Sequence, residues 1–540
     1  MIAAWVRRCV IFCALLVGVA LPAYAQGSAG SAVLTEPAAL SAGSAAAPLV
    51  VGPTVGNPGA AKPAAKAPKK PRPLYEEAIP LVILAVVVLL VVARLPKIDV
   101  GHSTAYKRRR LLNWLPLGLA YAFLYMARYN VTVFKNIGAM TGADFGDLKF
   151  WGSLVYGVSF LINGPLTDRW GGRATILIAV AGALSTNVVI GVLMLGGQNP
   201  SVGFLTFLYC VNMYFQSFGA VSIVKVNAPW FHVRERGTFG GIFGILISLG
   251  LYFAFDWGAR IADLTVGLAV PEGTPVPWLF LAPSIILSVF WVLCFIWVRD
   301  TPSKAGFADF DPQDASSGQS TAKESAFSVI KRMLTNKIIL VIAFIEMCSG
   351  FLRQGLLDWY QDFHKGIAGA AAANSFVLNH WGMVSAIAGI TGGIFAGAIS
   401  DHLFGSRRAP VAAVLYSLML LGACLILPLL GVPSAISWIA ATMAMAIIGV
   451  HGMLSGVASQ DFGGKNNAGV ATGLIDGFVY LGVAAQAMLY GATLPAKGSV
   501  AAQSVGNWRM WPIAMIPVAA IGLVLALKMW NARPGVGPKK

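Results

Sequence analysis

Charge is what this chain has least of, and the little it has is lopsided. Only 11% of its 540 residues are Asp, Glu, Lys or Arg, against about 25% in an ordinary soluble domain. With 57% hydrophobic residues and a mean hydropathy of +0.72, that scarcity excludes a soluble globular protein. Acids are rarer still: 22 Asp and Glu face 39 Lys and Arg, a net charge of +17. A nucleic-acid binder would gather those cations on one accessible face. Here they fall between apolar runs, as KRRR at 107–110, HVRERG at 232–237, RR at 407–408 and KK at 539–540. This is the loop pattern of a polytopic membrane protein, so a lipid bilayer is expected as partner and nucleic acid is not. Cysteine and histidine are also scarce, at six each. Cys9, Cys13, Cys210, Cys294, Cys348 and Cys424 all sit in apolar stretches, and only the first two, in the leader, have a close spacing. The sequence holds no HExxH or other ligand pair, no Gly-Lys-Ser/Thr phosphate loop and no nucleophile–base pair. Neither a metal, a cofactor, nucleotide-driven pumping nor an enzyme is expected.

What is present is a succession of apolar segments, each near the roughly 20 residues that span a bilayer. Residues 1–25 read as a secretory signal: Arg7 and Arg8, an apolar run, then Ala23, Tyr24 and Ala25 before Gln26. The alternative is an uncleaved first helix. Residues 26–77 are Ala, Gly, Ser, Pro and Lys with few large apolar groups, which predicts a disordered tail. An extra transmembrane helix is expected over 78–94. If the signal exports the tail, the tail is periplasmic and this helix delivers the rest of the chain to the cytoplasmic face. Lys62, Lys66, Lys69, Lys70 and Arg72 then lie outside, against the usual charge bias. The core is expected to hold twelve spans, near 112–135, 147–168, 173–195, 203–230, 238–263, 276–299, 334–362, 376–400, 408–431, 434–460, 466–494 and 509–530. A polar stretch, 300–333, divides a six-helix bundle (112–299) from a second one (334–530). The fold class is an all-α membrane protein.

Two arginines stand inside the apolar spans. Arg128 lies in LPLGLAYAFLYMARYNVTVF and Arg353 in IILVIAFIEMCSGFLRQGLLDWY. An arginine at the bilayer midplane costs roughly 2.5–3.5 kcal/mol, so it persists with a ligand, a partner or a water-filled path. Each is followed by the same kind of loop, GPLTDRWGGR from Gly164 and GAISDHLFGSRR from Gly397. A pattern repeated in both halves predicts two related bundles that each offer one cation to a shared site, the layout of an anion transporter. The alternative for the arginines is a structural salt bridge. Tyr121, Tyr125 and Arg128 are spaced i, i+4, i+7 and share a helix face. Arginine's planar fork suits phosphate, and phenols donate to its oxygens. The tyrosines also fit packing or interfacial roles. Further intramembrane polar groups are Lys225, Glu346, His451 and Asp476, candidates for coupling or for facing the transport path; structural pairing is the alternative for each. Glu346 stands seven residues before Arg353, on the same face.

The two loops resemble the motif between the second and third helices of the major facilitator superfamily. Gly164, Asp168, Arg169 and Arg173 form the first copy, and Asp401 and Arg407 belong to the second. The resemblance implies gating, with the glycine letting helix ends approach and the aspartate taking bonds from a neighbouring helix N-terminus. Tyr121-x-x-x-Tyr125-x-x-Arg128 and Leu352-Arg353-x-Gly355-x-Leu357-Asp358-Trp359 resemble the first and seventh helices of the organophosphate:phosphate antiporter family. Arg234-Glu235-Arg236-Gly237, Arg299-Asp300-Thr301-Pro302 and Asn336-Lys337 also match, and the similarity runs over about residues 105–530. In that family the two arginines bind phosphate, which implies that role for Arg128 and Arg353, and Tyr156 falls on a family site position. Departures are Tyr129, Phe160 and Ile247, where relatives carry basic residues or a histidine. The form Thr472-Gly473-Leu474-Ile475-Asp476-Gly477 looks like the sugar-phosphate branch.

The resemblance implies a monomeric secondary transporter of the bacterial inner membrane. It would exchange a phosphorylated small organic molecule, of the glycerol phosphate or sugar phosphate type, for inorganic phosphate by alternating access. Two other functions stay open. One is a membrane sugar-phosphate sensor with a histidine kinase as partner. The other is a proton-coupled carrier of another organic anion, with Glu346 or Asp476 as the proton site.

Overall fold

The computed structural model describes residues 101–531, apart from 199, 233–235, 266–275, 312–325, 403 and 405–407, with three isolated helical positions at 82, 85 and 86. The expected signal and tail lie outside the described residues, as does nearly all of the extra helix. Among the described residues the chain is all-helical, without a strand.

The first half carries α1 (Thr104–Asn136), α2 (Gly142–Trp170), α3 (Gly172–Leu195) and α4 (Val202–Asn227). It continues with α5 (Arg236–Tyr252), which runs through a π turn (Phe253–Trp257) into α6 (Gly258–Thr265), and with α7 (Trp278–Trp297). A short helix, α8 (Ala326–Thr335), leads into the second half. That half holds α9 (Lys337–Ala368), α10 (Phe376–Asn379), α11 (Trp381–His402), α12 (Arg408–Ile426) and α13 (Pro433–His451). A π turn (Gly452–Ala458) joins α13 to α14 (Ser459–Thr493), and α15 (Met510–Lys528) follows. The non-helical break expected between 460 and 466 is absent: the backbone stays helical from α13 through α14.

Local chemistry sets the helix starts. Ser103, Thr141 and Asn336 cap α1, α2 and α9, each side chain accepting from backbone N–H groups of the first turn. Gly171 takes φ +89 between α2 and α3, a conformation that an L side chain resists. Asp300, beyond α7, accepts from the backbone N–H of Arg173 at 2.8 Å and so holds the start of α3.

Within the first half α1 packs on α5 and α7, α2 on α4, and α3 on α4 and α7. Within the second half α9 packs on α13, α14 and α15, and α12 on α13 and α15. The halves meet chiefly through two helix pairs, α2 with α14 and α5 with α11. The α2–α14 pair brings the two backbones close toward both ends of α2. A Cβ on Gly146 would lie 2.6 Å from Gly491 Cα, and one on Gly164 would lie 2.7 Å from the Gly469 carbonyl oxygen. Small residues allow that approach where lipid gives helices no hydrophobic reason to associate.

Among the described residues nine helices are long and apolar enough to cross a membrane. α1 and α2 are outside that set. They carry Arg128, Lys135 and Lys149 into the interface between the halves, where all three are buried.

Candidate functional site

α1 and α9 run side by side in the same direction at one end of the molecule. Tyr129 OH donates to Gln354 Oε1 at 3.0 Å, Thr132 Oγ1 to Asp358 Oδ1 at 3.1 Å, and Asn136 Nδ2 to Gln361 Oε1 at 3.2 Å. The first and last of these pairs are separated by 225 residues. Arg128 and Arg353 have the same separation. The ladder therefore sets the two arginines at one height, facing each other from the two halves.

Both guanidiniums are almost wholly buried, at 2% and 3% exposure. Arg128 is held in an aromatic nest: its guanidinium carbon lies 4.3 Å from the Tyr125 ring, 5.0 Å from Tyr156 and 5.8 Å from Tyr480. One of its terminal nitrogens donates to Tyr480 OH. The Arg353 guanidinium carbon also lies 5.8 Å from the ring of that tyrosine. Tyr156 packs on Tyr480 with the rings tilted at 58° and 4.1 Å apart, while Tyr121 backs Tyr125 edge-on at 5.3 Å. The nest is attractive to a cation but supplies almost no acceptor. Arg128 Nε and one terminal nitrogen, and all three side-chain nitrogens of Arg353, have no hydrogen-bond partner among the described residues. Buried donors without acceptors are costly, and these point to an anion.

Beyond the arginines, toward the ends of α1 and α9, the interface is ionic. Lys135 Nζ lies 2.8 Å from Asp362 Oδ2, and Lys149 Nζ lies 3.5 Å from Asp358 Oδ2. All four side chains are buried, and each pair spans the two halves. Asp256, presented by the π turn after α5, accepts from the backbone N–H groups of Gly382 and Met383 at 2.9 Å each. These groups open α11, so a carboxylate from one half sits on a helix N-terminus of the other.

On the opposite side of the arginines stands a second polar group. His451 Nδ1 lies 2.8 Å from Glu346 Oε2, and Ser455 Oγ donates to Asp476 Oδ1. At the far end Asp168 accepts from the backbone N–H groups of Gly469 (3.2 Å) and Val470 (3.1 Å) and pairs with Lys225 at 2.7 Å.

Several expectations change here. Lys225, a candidate coupling or cavity charge, takes the paired alternative: it lies in the last turn of α4, against Asp168. Arg173 does not join that aspartate. Its side chain donates to the Phe295 carbonyl at 2.6 Å, at the end of α7. Arg169 is exposed. Glu346 is bonded to His451 rather than to Arg353. Gly164 sits where α2 touches α14. Asp401 is within α11, and Arg407 lies outside the described residues. Sequence reasoning missed Tyr480, which touches both arginines, and the Lys135, Lys149, Asp256 and Asp362 contacts. The signal for Tyr480 was its place one turn beyond Asp476. Lys135 and Asp362 could have been found as opposite charges at matching ends of two paired helices.

Residues 117–487 match the model of the Major Facilitator Superfamily. The chain belongs to that superfamily. Among curated proteins, the chain is 29% identical to the glycerol-3-phosphate transporter of Bacillus subtilis over 455 residues, 80% of this chain and 95% of the relative. It is 25% identical to the membrane sensor protein UhpC of Salmonella typhimurium over 452 residues, 81% of this chain and 95% of that protein. Over 396 residues, 68% of this chain and 79% of the relative, it is 25% identical to the hexose-6-phosphate:phosphate antiporter of Escherichia coli. These relatives agree with the organophosphate:phosphate antiporter family read from the motifs. A solved bacterial homolog of the human lysosomal transporter Spinster, inward-facing, has the same fold, with a TM-score of 0.56 at 14% identity over 81% of this chain and all of that one.

Proposed function

We propose that this superfamily member is a secondary transporter that exchanges a phosphorylated small organic molecule for inorganic phosphate across a bacterial inner membrane. The observation that carries this reading is the pair of buried guanidiniums at one height, one from each half, with donors left over. A dianionic phosphoryl group between them is nearly neutralised, which is what passage through a low-dielectric bundle requires. The likeness to transporters named for glycerol 3-phosphate and for hexose 6-phosphate supports the same ligand class.

In this reading the helices form two six-helix bundles, 112–299 and 334–530, with 300–333 as a cytoplasmic connection. The Asp168–Lys225 end is cytoplasmic and the Lys135–Asp362 end periplasmic. A signal at 1–25, a periplasmic tail at 26–77 and an extra helix at 78–94 precede the core. Interbundle contacts close both ends, and rocking of the bundles about the arginines would open one end at a time. The transporter works as a monomer, without cofactor or metal.

Likeness to a membrane sensor protein over 81% of the chain supports a second reading, in which ligand binding at the same arginines is passed to a kinase partner. The third reading, proton-coupled transport of another organic anion, would use Glu346 or Asp476. One assay separates them: phosphate exchange in proteoliposomes, competed with phosphate esters and carboxylates. Exchange competed by esters supports the antiporter. Binding without exchange supports the sensor, and uptake that follows a proton gradient and is competed by carboxylates supports the third.

A further inference from the structure

Three arginines from three parts of the first half meet on one helix end. Arg109, near the start of α1, donates to the Trp297 carbonyl at 2.7 Å. Arg173, at the start of α3, donates to the Phe295 carbonyl at 2.6 Å, and Arg299, just past α7, to that of Val298 at 2.8 Å. All three acceptors belong to the last turn of α7 or to its C-cap. Arg299 is close enough for its charge to repel the other two. Its backbone is fixed from both sides: its N–H donates to Oδ1 of the buried Asn113 at 2.7 Å, and its carbonyl accepts from Trp230 Nε1 at 3.1 Å.

We propose that Arg109, Arg173 and Arg299 form a binding site for the head group of an anionic phospholipid, whose acyl chain lies along α7. The assignment to the cytoplasmic leaflet rests on the topology proposed above; the head-group site itself does not.

The cluster carries more positive charge than the protein around it balances. A helix C-terminus offers about half a negative charge, which one guanidinium would cap. Among the described residues no carboxylate lies within ion-pair distance of any of the three. Asp300 is near Arg173, but its oxygens accept from the Arg173 backbone N–H and pair with Lys304. Arg109 Nη1 and Arg173 Nε are buried and have no hydrogen-bond partner among the described residues. Each side chain as a whole stays partly exposed, so an anion can reach it.

What adjoins the cluster makes that anion a lipid. Ile285, Val289, Val292 and Ile296, spaced i, i+4, i+7, i+11, form an exposed apolar stripe on α7. It runs for about 16 Å. The hydrocarbon of one leaflet is about 15 Å deep. The stripe ends at exposed Phe295 and Trp297, and the Arg173 guanidinium carbon lies 5.3 Å from the Phe295 ring. Cations beside aromatics at the end of an apolar span mark the membrane interface. A free phosphate would leave the stripe unused. A phospholipid sets its phosphodiester on the arginines, whose planar forks suit it, and its chain on the stripe.

The test titrates the purified full chain in detergent with cardiolipin, phosphatidylglycerol and phosphatidylcholine, and counts bound lipid by native mass spectrometry. Wild-type protein should prefer the two anionic lipids over phosphatidylcholine by about tenfold or more. Replacing Arg109→Gln and Arg299→Gln together should remove most of that preference, whereas Arg108→Gln, on the exposed neighbour, should keep it. Should the paired variant not fold, Arg299→Lys keeps the charge, loses the fork and should still weaken cardiolipin binding; unchanged binding there counts against the site. Equal binding of the three lipids by wild type overturns the proposal. So does an equal loss in Arg108→Gln and the paired variant, which would show only diffuse surface charge. Saturating inorganic phosphate should leave bound cardiolipin in place; release would mean a free-anion site and overturn the lipid assignment. Phosphate exchange is not the readout, so failure of the transport reading would leave this result standing.

Discussion

Lys225 Nζ lies 2.7 Å from Asp168 Oδ1, and the same carboxylate receives the N–H groups of Gly469 and Val470 from the other half of the chain. Asp168 thus does two things at one end of the molecule: it neutralises a lysine within its own half and fastens that half to α14. Asp256 has the corresponding place at the other end, on the first turn of α11. A rocking transporter must break one of these attachments in each half of its cycle.

Asp168→Asn keeps the shape but removes the charge that faces Lys225 and the α14 amides. Turnover should fall severalfold while phosphate affinity stays within about threefold, because a gating contact acts on the conformational step. Lys225→Met should behave alike. Exchange rates and half-saturation in proteoliposomes provide the check. Loss of phosphate binding by folded protein would instead place this end in the anion site.

Arg128→Lys and Arg353→Lys preserve a cation and lose the planar fork. Each should weaken phosphate binding by about tenfold or more, equal to about 1.4 kcal/mol. Titration calorimetry on detergent-solubilised protein reads this directly. Unchanged affinity in both variants would mean that the anion does not lie between them.

Lys149 and Asp358 are 3% and 1% exposed, 3.5 Å apart, and belong to different halves. Removing one partner strands a buried charge, at a cost of about 3–5 kcal/mol. Lys149→Met and Asp358→Asn should each lower the melting temperature of the purified protein, and the double variant should recover most of the loss. Additive losses would show that the two residues act independently.

Asp256→Ala removes the acceptor for two amides at the start of α11. Hydrogen exchange at Gly382 and Met383 should accelerate markedly, with little change in the helices around Arg353. Unaltered protection there would mean that Asp256 does not hold the two halves together at this end.

The proposed topology puts residues 26–77 outside the inner membrane. A cysteine at Ser41 should react with a membrane-impermeant thiol reagent in cells with a permeabilised outer membrane. Protection until the inner membrane is lysed would reverse the assignment of both the tail and the signal.

The all-helical membrane class was legible in the sequence because the composition that permits it is global: too few charges, too many long apolar runs. The two arginines were legible for a related reason. A guanidinium among apolar residues is conspicuous at any position, and its recurrence in the second half with a similar loop marks an internal repeat. Pairing was much less legible. Nothing in the spacing of Lys225 separates a residue on the transport path from a partner for Asp168. That depends on which way the last turn of α4 faces, and the neighbouring helix decides it. Glu346 on the same face as Arg353 suggested a pair; packing of α13 brought His451 within 2.8 Å and gave the carboxylate another partner.

The sequence by itself determined the class of the molecule, its repeated plan and the two cations, since hydropathy and the cost of a buried charge act locally. Only the tertiary structure decided that Arg128 and Arg353 stand at one height, that Tyr480 lies against both, and that carboxylates tie the two halves at opposite ends. Those facts depend on the register of α1 against α9 and of α2 against α14. Register is fixed by contacts between residues hundreds of positions apart, such as Gly146 against Gly491, where absence of a side chain lets two backbones meet.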